Sequence, residues 1–382
     1  MDSIYLDNAA TTPVLPEVVQ RMQATLSTVY GNPSSIHSQG RSAKSLIEAA
    51  RKGIAKELGA SPAEIIFTSG GTEGDNMILQ GAVRGLGVRT MITSHIEHHA
   101  VVHAIESLEQ TDGVKVEYVK VSPSGFPDLA DLERLLQNDN SKKLVSLMHV
   151  NNELGTICDL KKIAELCSSY KALFHSDTVQ SIGHFCVDVQ EVPVDFLVAA
   201  AHKFHGPKGI GFVFVRKKTG LQSLLFGGSQ ERGLRAGTES VHNIVGMEEA
   251  FTYAYANLDN DRAYIENLKT YCLQQLKNEF PKASFNGCCD DPTNSTYTII
   301  NVRLPMDAKK ASLLGFTLDL KGISCSKGSA CQAGSEMGSH VLSHVLTEEQ
   351  LKSPSIRISF SKFNTISEVD FLVKTLKEYA NS

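Results

Sequence analysis

The sequence predicts an α/β protein: a mostly parallel central sheet flanked by helices, with a smaller α+β domain attached. Three observations lead there. Short apolar runs alternate with helical stretches as far as about residue 255. The order then changes to one long helix, two strand-like runs and a last helix. Strands separated by helices need crossover connections, and crossovers give parallel neighbours with helices on the faces.

The elements follow in chain order. Residues 39–58 predict an amphipathic helix, with Ala43, Leu46, Ile47, Ala50, Ile54 and Leu58 at helical spacing and Gly59 as the stop. Strands are expected at 65–68, 90–93, 144–150, 173–176, 196–199 and 211–215. In the C-terminal part, a helix is expected over 262–280, strands over 296–303 and 356–360, and a helix near 366–379. The expected division is a large domain over 15–255 and a small one made of 1–14 and 256–382, the latter carrying Cys331 in a mobile loop of small residues.

Composition bounds the function. The chain has 382 residues, 42% hydrophobic and 21% charged, which suits a soluble globular protein. Its net charge of −5 gives no reason to expect nucleic acid or an anionic membrane as a partner. No run approaches the roughly 18 apolar residues of a membrane span. The first residues lack the basic and apolar regions of a signal peptide, so the cytoplasm is the expected compartment. The eight cysteines are scattered, with neither a disulfide framework nor a metal-ligand spacing, and no metal site is expected.

Four segments carry chemistry. Ser69-Gly70-Gly71-Thr72-Glu73-Gly74 follows a strand and opens a helix. It reads either as a tight structural turn or as an anion site built from helix N–H groups and the Thr72 hydroxyl. Lys203 lies just past the strand at 196–199. It is either a solvated loop lysine or an amine whose charge is lost to desolvation, as a Schiff base with a carbonyl cofactor requires. Asp177 ends another strand. It either caps the next helix or pairs with a protonated ring nitrogen. Cys331 sits among Gly328, Ser329, Ala330, Gln332, Ala333 and Gly334. It is an ordinary loop cysteine or an exposed nucleophile.

Taken together, the order and spacing of these pieces resemble the cysteine desulfurase family, in its nitrogen-fixation and iron–sulfur-cluster branch. The resemblance also rests on Tyr5-Leu6-Asp7-Asn8-Ala9-Ala10-Thr11-Thr12-Pro13, Gly31-Asn32-Pro33-Ser34-Ser35 and Glu97-His98-His99-Ala100-Val101. His149-Val150-Asn151-Asn152-Glu153, Gly233-Leu234-Arg235-Ala236-Gly237-Thr238 and Ser355-Ile356-Arg357 complete it. The family is of pyridoxal 5'-phosphate (PLP) enzymes of fold-type I, usually homodimers, that turn L-cysteine into L-alanine.

The resemblance implies a role for each matching residue. Lys203 would form the Schiff base with PLP and later move protons. Asp177 would pair with the pyridinium nitrogen, and His98 would stack on the ring. Gln180 and Asn152 would bond the ring-hydroxyl side. Gly71, Thr72 and His202 would hold the phosphate, and Thr238 would reach the phosphate of the other subunit. Arg357 would grip the substrate carboxylate, with Asn152 also binding the substrate, and Cys331 would take the sulfur as a persulfide and pass it to an acceptor protein, a cluster scaffold or a sulfurtransferase.

Three departures qualify the resemblance. The family often has a phosphate-binding serine three residues before the lysine, where this chain has Ala200. Cys325 precedes Cys331 and reads as a relay thiol or a packing residue. The sequence stops at Ser382, without the longer tail by which relatives dock a scaffold, which leaves that partner open. His37 stands as a candidate substrate contact, whereas His99, His205, His340 and His344 read as structural or surface residues. The rival readings are a selenocysteine lyase or an aminotransferase on the same fold, and a non-catalytic sulfur-transfer protein.

Overall fold

The structure is a computed structural model that describes residues 3–217, 219–327 and 338–382. It opens with strand β1 (Ile4–Tyr5) and helices α1 (Pro16–Thr28) and α2 (Ser38–Glu57). The central region runs β2 (Ile65–Thr68), α3 (Gly71–Arg84), β3 (Thr90–Thr93), α4 (His99–Asp112), β4 (Lys115–Tyr118) and α5 (Leu129–Gln137). It continues β5 (Lys143–Ser146), α6 (Leu160–Ser169), β6 (Leu173–Asp177), β7 (Phe196–Ala200), β8 (Gly211–Val215) and α7 (Val241–Ala256). The C-terminal region runs α8 (Leu258–Glu279), β9 (Ser284–Phe285), β10 (Ile299–Arg303), α9 (Ala308–Leu320), β11 (Ile323–Ser324) and β12 (Ser326–Lys327). It ends with α10 (His340–Val345), α11 (Glu348–Leu351), β13 (Ser355–Ser359) and α12 (Ile366–Asn381).

The central sheet has seven strands in the order β2-β8-β7-β6-β5-β3-β4. Its pairs are parallel except those made by β8, which runs antiparallel to β2 and β7. The expected mostly parallel sheet is thus present, with helices on both faces. On one face Phe67, Val145, Phe174, Leu197 and Phe212 pack with residues of α2, α5, α6 and α7. On the other, Ile66, Leu144, Val198 and Val213 pack with α3 and α4. β2, β7 and β8 are buried on both faces, so their sequences are near-continuous apolar runs rather than alternating ones.

The sequence boundaries shift where tertiary contacts intervene. The strand expected over 144–150 leaves the ladder after Ser146, although His149 N still donates to Asp177 O at 3.0 Å. The run expected from Thr296 joins the sheet only at Ile299, because Thr296 N bonds Gly155 O at 2.8 Å instead. β4 was not expected. It is an edge strand of partly exposed residues, so it lacks the apolar run that marks its neighbours.

A second core gathers Ile265, Leu268, Cys272, Ile300, Ile356, Ile358, Val369 and Leu372 around an antiparallel sheet in the order β12-β13-β10-β9. Leu6 joins it, because β1 pairs in parallel with β11. The residues just after β1 therefore run from this second core toward the carboxyl ends of β6 and β7, where ligands bind in open α/β sheets.

Candidate active site

At those strand ends lies a cavity of about 390 Å³. Gly71, Thr72, His98, Asn152, Asp177, Gln180, His202, Lys203 and Arg357 all line it. Nine residues expected from sequence thus meet in one place, although they come from segments spread over most of the chain.

Lys203 follows β7 in a single 3₁₀ turn, Ala201–Lys203. Its Nζ donates to Ala9 O at 2.6 Å and to Ala10 O at 2.9 Å. Burial pushes the ammonium down to about 8, and the positive charge of Arg357 adds to the effect. Asp177 terminates β6, where its Oδ1 accepts from Val179 N at 2.9 Å. The side chain is buried, which pushes its carboxyl up, against the opposing pull of His98 and Lys203. The helix cap offered by the sequence is absent, because a turn and not a helix follows β6, and the carboxylate instead accepts from the backbone of that turn.

His98 is the N-cap of α4, and its Nδ1 accepts from Ala100 N at 3.2 Å. Desolvation pulls the imidazole pKa down, against the opposing pull of Asp177. Gln180 Nε2 donates to Ala9 O at 2.9 Å, sharing that carbonyl with Lys203. His202 Nδ1 lies 3.2 Å from Thr11 Oγ1, and burial pushes its imidazole down to about 4.

The turn before α3 has the geometry of an anion cradle. Gly70 has φ +151°, a conformation that L side chains rarely adopt, and gives the helix no side-chain cap. The leading N–H groups at Gly71 and Thr72 are therefore left for a ligand. A Cβ on Gly71 would stand 3.0 Å from Val179 Cγ2 and 4.0 Å from Ala200 Cβ, which places position 200 beside this turn.

Arg357 lies on β13, with Nη1 donating to Asn152 O at 2.8 Å and Nη2 to Asp7 Oδ1 at 2.9 Å. Its Nε and the Oδ1 of Asn152 are buried polar atoms without a hydrogen-bond partner among the described residues. Such atoms are costly unless a ligand meets them. With an uncapped helix end, a depressed lysine and a buried carboxylate, the residues fit a cofactor that carries an aldehyde, a phosphate and a ring nitrogen.

Sequence reasoning missed some members. Asp75, on the second turn of α3, lines the cavity and is 1% exposed. Burial and the neighbouring Asp177 push its carboxyl well up. His175 Nε2 lies 3.3 Å from Asp75 Oδ1 without hydrogen-bond geometry. Asp75 gives no sequence signal beyond being an acid in an otherwise apolar helix face. Ala9, Ala10, Met148 and Val179 line the cavity as well.

Other expected residues lie elsewhere. Thr238 is exposed and not among the residues lining this cavity. Cys331 lies outside the described residues. His37 caps α2, accepting from Gly40 N at 3.3 Å, and does not line the cavity. His205 bonds Pro13 O, and His340 bonds the backbone oxygen of Glu97. Cys325 packs against the second core, and burial pushes its thiol up to about 12. That argues for packing over relay, since the thiolate is the reactive form.

Comparison with known proteins agrees with the geometry. The aminotransferase class-V family matches residues 4–372. The cysteine desulfurase IscS of Dictyoglomus turgidum is 39% identical over 376 residues, covering 98% of this chain and 93% of the relative. The putative cysteine desulfurase IscS 1 of Bacillus subtilis is 41% identical over 378 residues, covering 98% and 97%. Among solved structures, a NifS-like protein superposes with a TM-score of 0.88 at 36% identity, covering 98% of each chain. SspA in complex with cysteine superposes with a TM-score of 0.79 at 32% identity, covering 95% and 100%. The chain belongs to the class-V aminotransferase family and, within it, to the cysteine desulfurases.

Proposed function

We propose that this protein is a PLP-dependent cysteine desulfurase, which takes sulfur from L-cysteine for iron–sulfur cluster assembly or other sulfur-containing biosynthesis. One observation carries the reading. A single cavity joins a charge-depressed lysine, a buried carboxylate, an uncapped helix N-terminus and an arginine whose buried Nε lacks a partner among the described residues.

The cofactor, when bound, supplies an electron sink conjugated to the substrate amine. The chain does the rest. Gly71, Thr72 and His202 hold the phosphate, and Thr238 of a second copy in a homodimer completes that grip. Asp177 would keep the ring nitrogen protonated, His98 would stack on the ring, and Asn152 and Gln180 would meet its hydroxyl side. Arg357 takes the substrate carboxylate on its fork. Lys203 would hold the carbonyl group of the cofactor and would move protons through Nζ, a task for which a pKa near 8 is suited.

Cys331 completes the chemistry as the acceptor. Its thiolate attacks the substrate sulfur, an S–S bond forms and the C–S bond of the substrate breaks. The substrate carbon gains a proton and leaves as L-alanine, and the sulfur stays on Cys331 as a persulfide. A sulfur-acceptor protein then collects it. No described helix is long and apolar enough to cross a membrane. We place the enzyme in the cytoplasm.

The test is stoichiometric. Purified protein with PLP, L-cysteine and a reductant should yield alanine and sulfide in equal amounts. Alanine without sulfide, or transamination in place of either, would remove the reading.

A further inference from the structure

The guanidinium of Arg357 is held by more than its own strand. Nη2 donates to Asp7 Oδ1 at 2.9 Å and to Ser326 Oγ at 3.0 Å, and Ser326 Oγ in turn donates to the same Asp7 oxygen at 2.7 Å. The three groups close a ring: cation to carboxylate, cation to hydroxyl, hydroxyl to carboxylate. They come from three places in the sequence. Asp7 follows β1, Ser326 opens β12, and Arg357 sits opposite Ser326 in the β12–β13 ladder.

The ring and Asn152 O use three of the five guanidinium N–H groups. Nη1 gives one bond to Asn152 O and Nη2 two to the ring, whereas Nε is buried and has no partner among the described residues. A guanidinium is planar, so fixing Nη1 and Nη2 fixes the direction of Nε–H. A flexible arginine would otherwise lose rotamer freedom each time it received a carboxylate. The pair is largely out of water, with side-chain exposures of 10% for Arg357 and 21% for Asp7, so direction and charge balance both matter.

The stretch that supplies Asp7 also supplies Ala9 and Ala10, whose carbonyls receive Lys203 Nζ. Asn8 pins that stretch to β13 through Ser359 O at 2.8 Å. One short segment therefore addresses both cationic side chains of the cavity.

We infer that Ser326 and Asp7 are positioning residues that hold the Arg357 fork in the orientation that receives the substrate carboxylate. The inference rests on the reading of Arg357 as the carboxylate grip. Asp7 supplies the counter-charge. Ser326 supplies direction, because a hydroxyl that accepts from Nη2 and donates to Asp7 fixes both at once.

The experiment is a steady-state titration of L-cysteine with PLP-loaded enzyme, comparing wild type, Ser326→Ala, Arg357→Ala and the double variant. Loss of one bond to a charged group should raise KM about tenfold in Ser326→Ala. In that variant kcat should stay within about twofold, since the lost contact serves ground-state binding. In the Arg357→Ala background, Ser326→Ala should add nothing to KM, because its effect passes through the guanidinium. Ser326→Thr against Ser326→Val repeats the comparison with equal shapes that differ by the hydroxyl, and covers the case where the alanine variant folds poorly.

The outcomes separate. If Arg357→Ala raises KM and neither Ser326→Ala nor Ser326→Val does, the positioning role is overturned and the grip stands. An equal effect of Ser326→Ala in both backgrounds overturns it too, since Ser326 would then act elsewhere. If Arg357→Ala leaves KM unchanged, the reading of Arg357 itself has failed.

Discussion

Lys203 Nζ lies 2.6 Å from the carbonyl oxygen of Ala9, so the lysine of the cavity is held by backbone oxygens and not by a side-chain carboxylate. Neutral oxygens compensate a buried ammonium only in part, and its pKa falls from 10.5 to about 8. The reactive amine of the cofactor-free protein is the neutral form. The rate at which it takes up PLP should therefore rise with pH, bend near 8 and level off above it. Stopped-flow absorbance across the pH range measures this, and a rate still climbing toward 10.5 would contradict it. The sign for stability is the same. Between 8 and 10.5 the unfolded lysine keeps a proton that the folded one has lost, so this group's penalty on the folded state fades as pH rises. Lys203→Ala should abolish the visible absorbance of the loaded protein.

Cys331→Ala should keep that absorbance and lose sulfide release, since the proposed cofactor contacts lie on other residues. Absorbance spectra with a sulfide assay decide it. Unchanged turnover would remove Cys331 from the mechanism.

Ala200 lines the cavity beside the turn at Gly71. Ala200→Ser should add one hydrogen bond to the phosphate, about 0.5–1.5 kcal/mol, which is roughly a twofold to tenfold gain in PLP retention. Equilibrium dialysis of PLP measures it, with no gain as the contrary result.

Cys325→Ala should leave sulfur delivery unchanged, because a thiol pushed up to about 12 carries almost no thiolate near neutrality. The expected cost is in stability, about 1 kcal/mol, for a shrunken partly buried side chain. Thermal melts and persulfide transfer to an acceptor are the two readouts. Slower transfer with normal persulfide formation would restore the relay role.

Glu231 holds Arg51 with two contacts of 2.7 Å and accepts from Phe67 N at 2.8 Å. Both side chains are buried. Glu231→Ala leaves the buried Arg51 with only the half-exposed Glu48, 3.1 Å from Nε, and Ile65 O, and should cost about 3 kcal/mol. Denaturant melts of the folded enzyme test this. A loss below about 1 kcal/mol would show that Glu48, already paired with Arg51, and water suffice to hold the cation.

Much of the site was legible in the sequence because chemistry and punctuation coincide. Lys203 and Asp177 each stand at the end of an apolar run, and Gly70-Gly71-Thr72 stands where a strand gives way to a helix. Their order along the chain sufficed to expect them together. Asp75, Asp7 and Ser326 were not legible as site residues. Asp75 looks like any helical acid until its burial beside Asp177 is seen. Asp7 and Arg357 are 350 positions apart, and only the pairing of β1 with β11 and of β12 with β13 makes them neighbours.

The sequence by itself determined the class of fold, the family and most of the residues at the cavity, because apolar periodicity, glycine turns and reactive side chains are local properties. The tertiary structure decided the charge states and the direction of the side chains. Those depend on burial and on partners brought from distant segments: carbonyls of Ala9 and Ala10 for Lys203, and Asp7 with Ser326 for Arg357. Desolvation and hydrogen-bond direction act through space, and no local pattern records them.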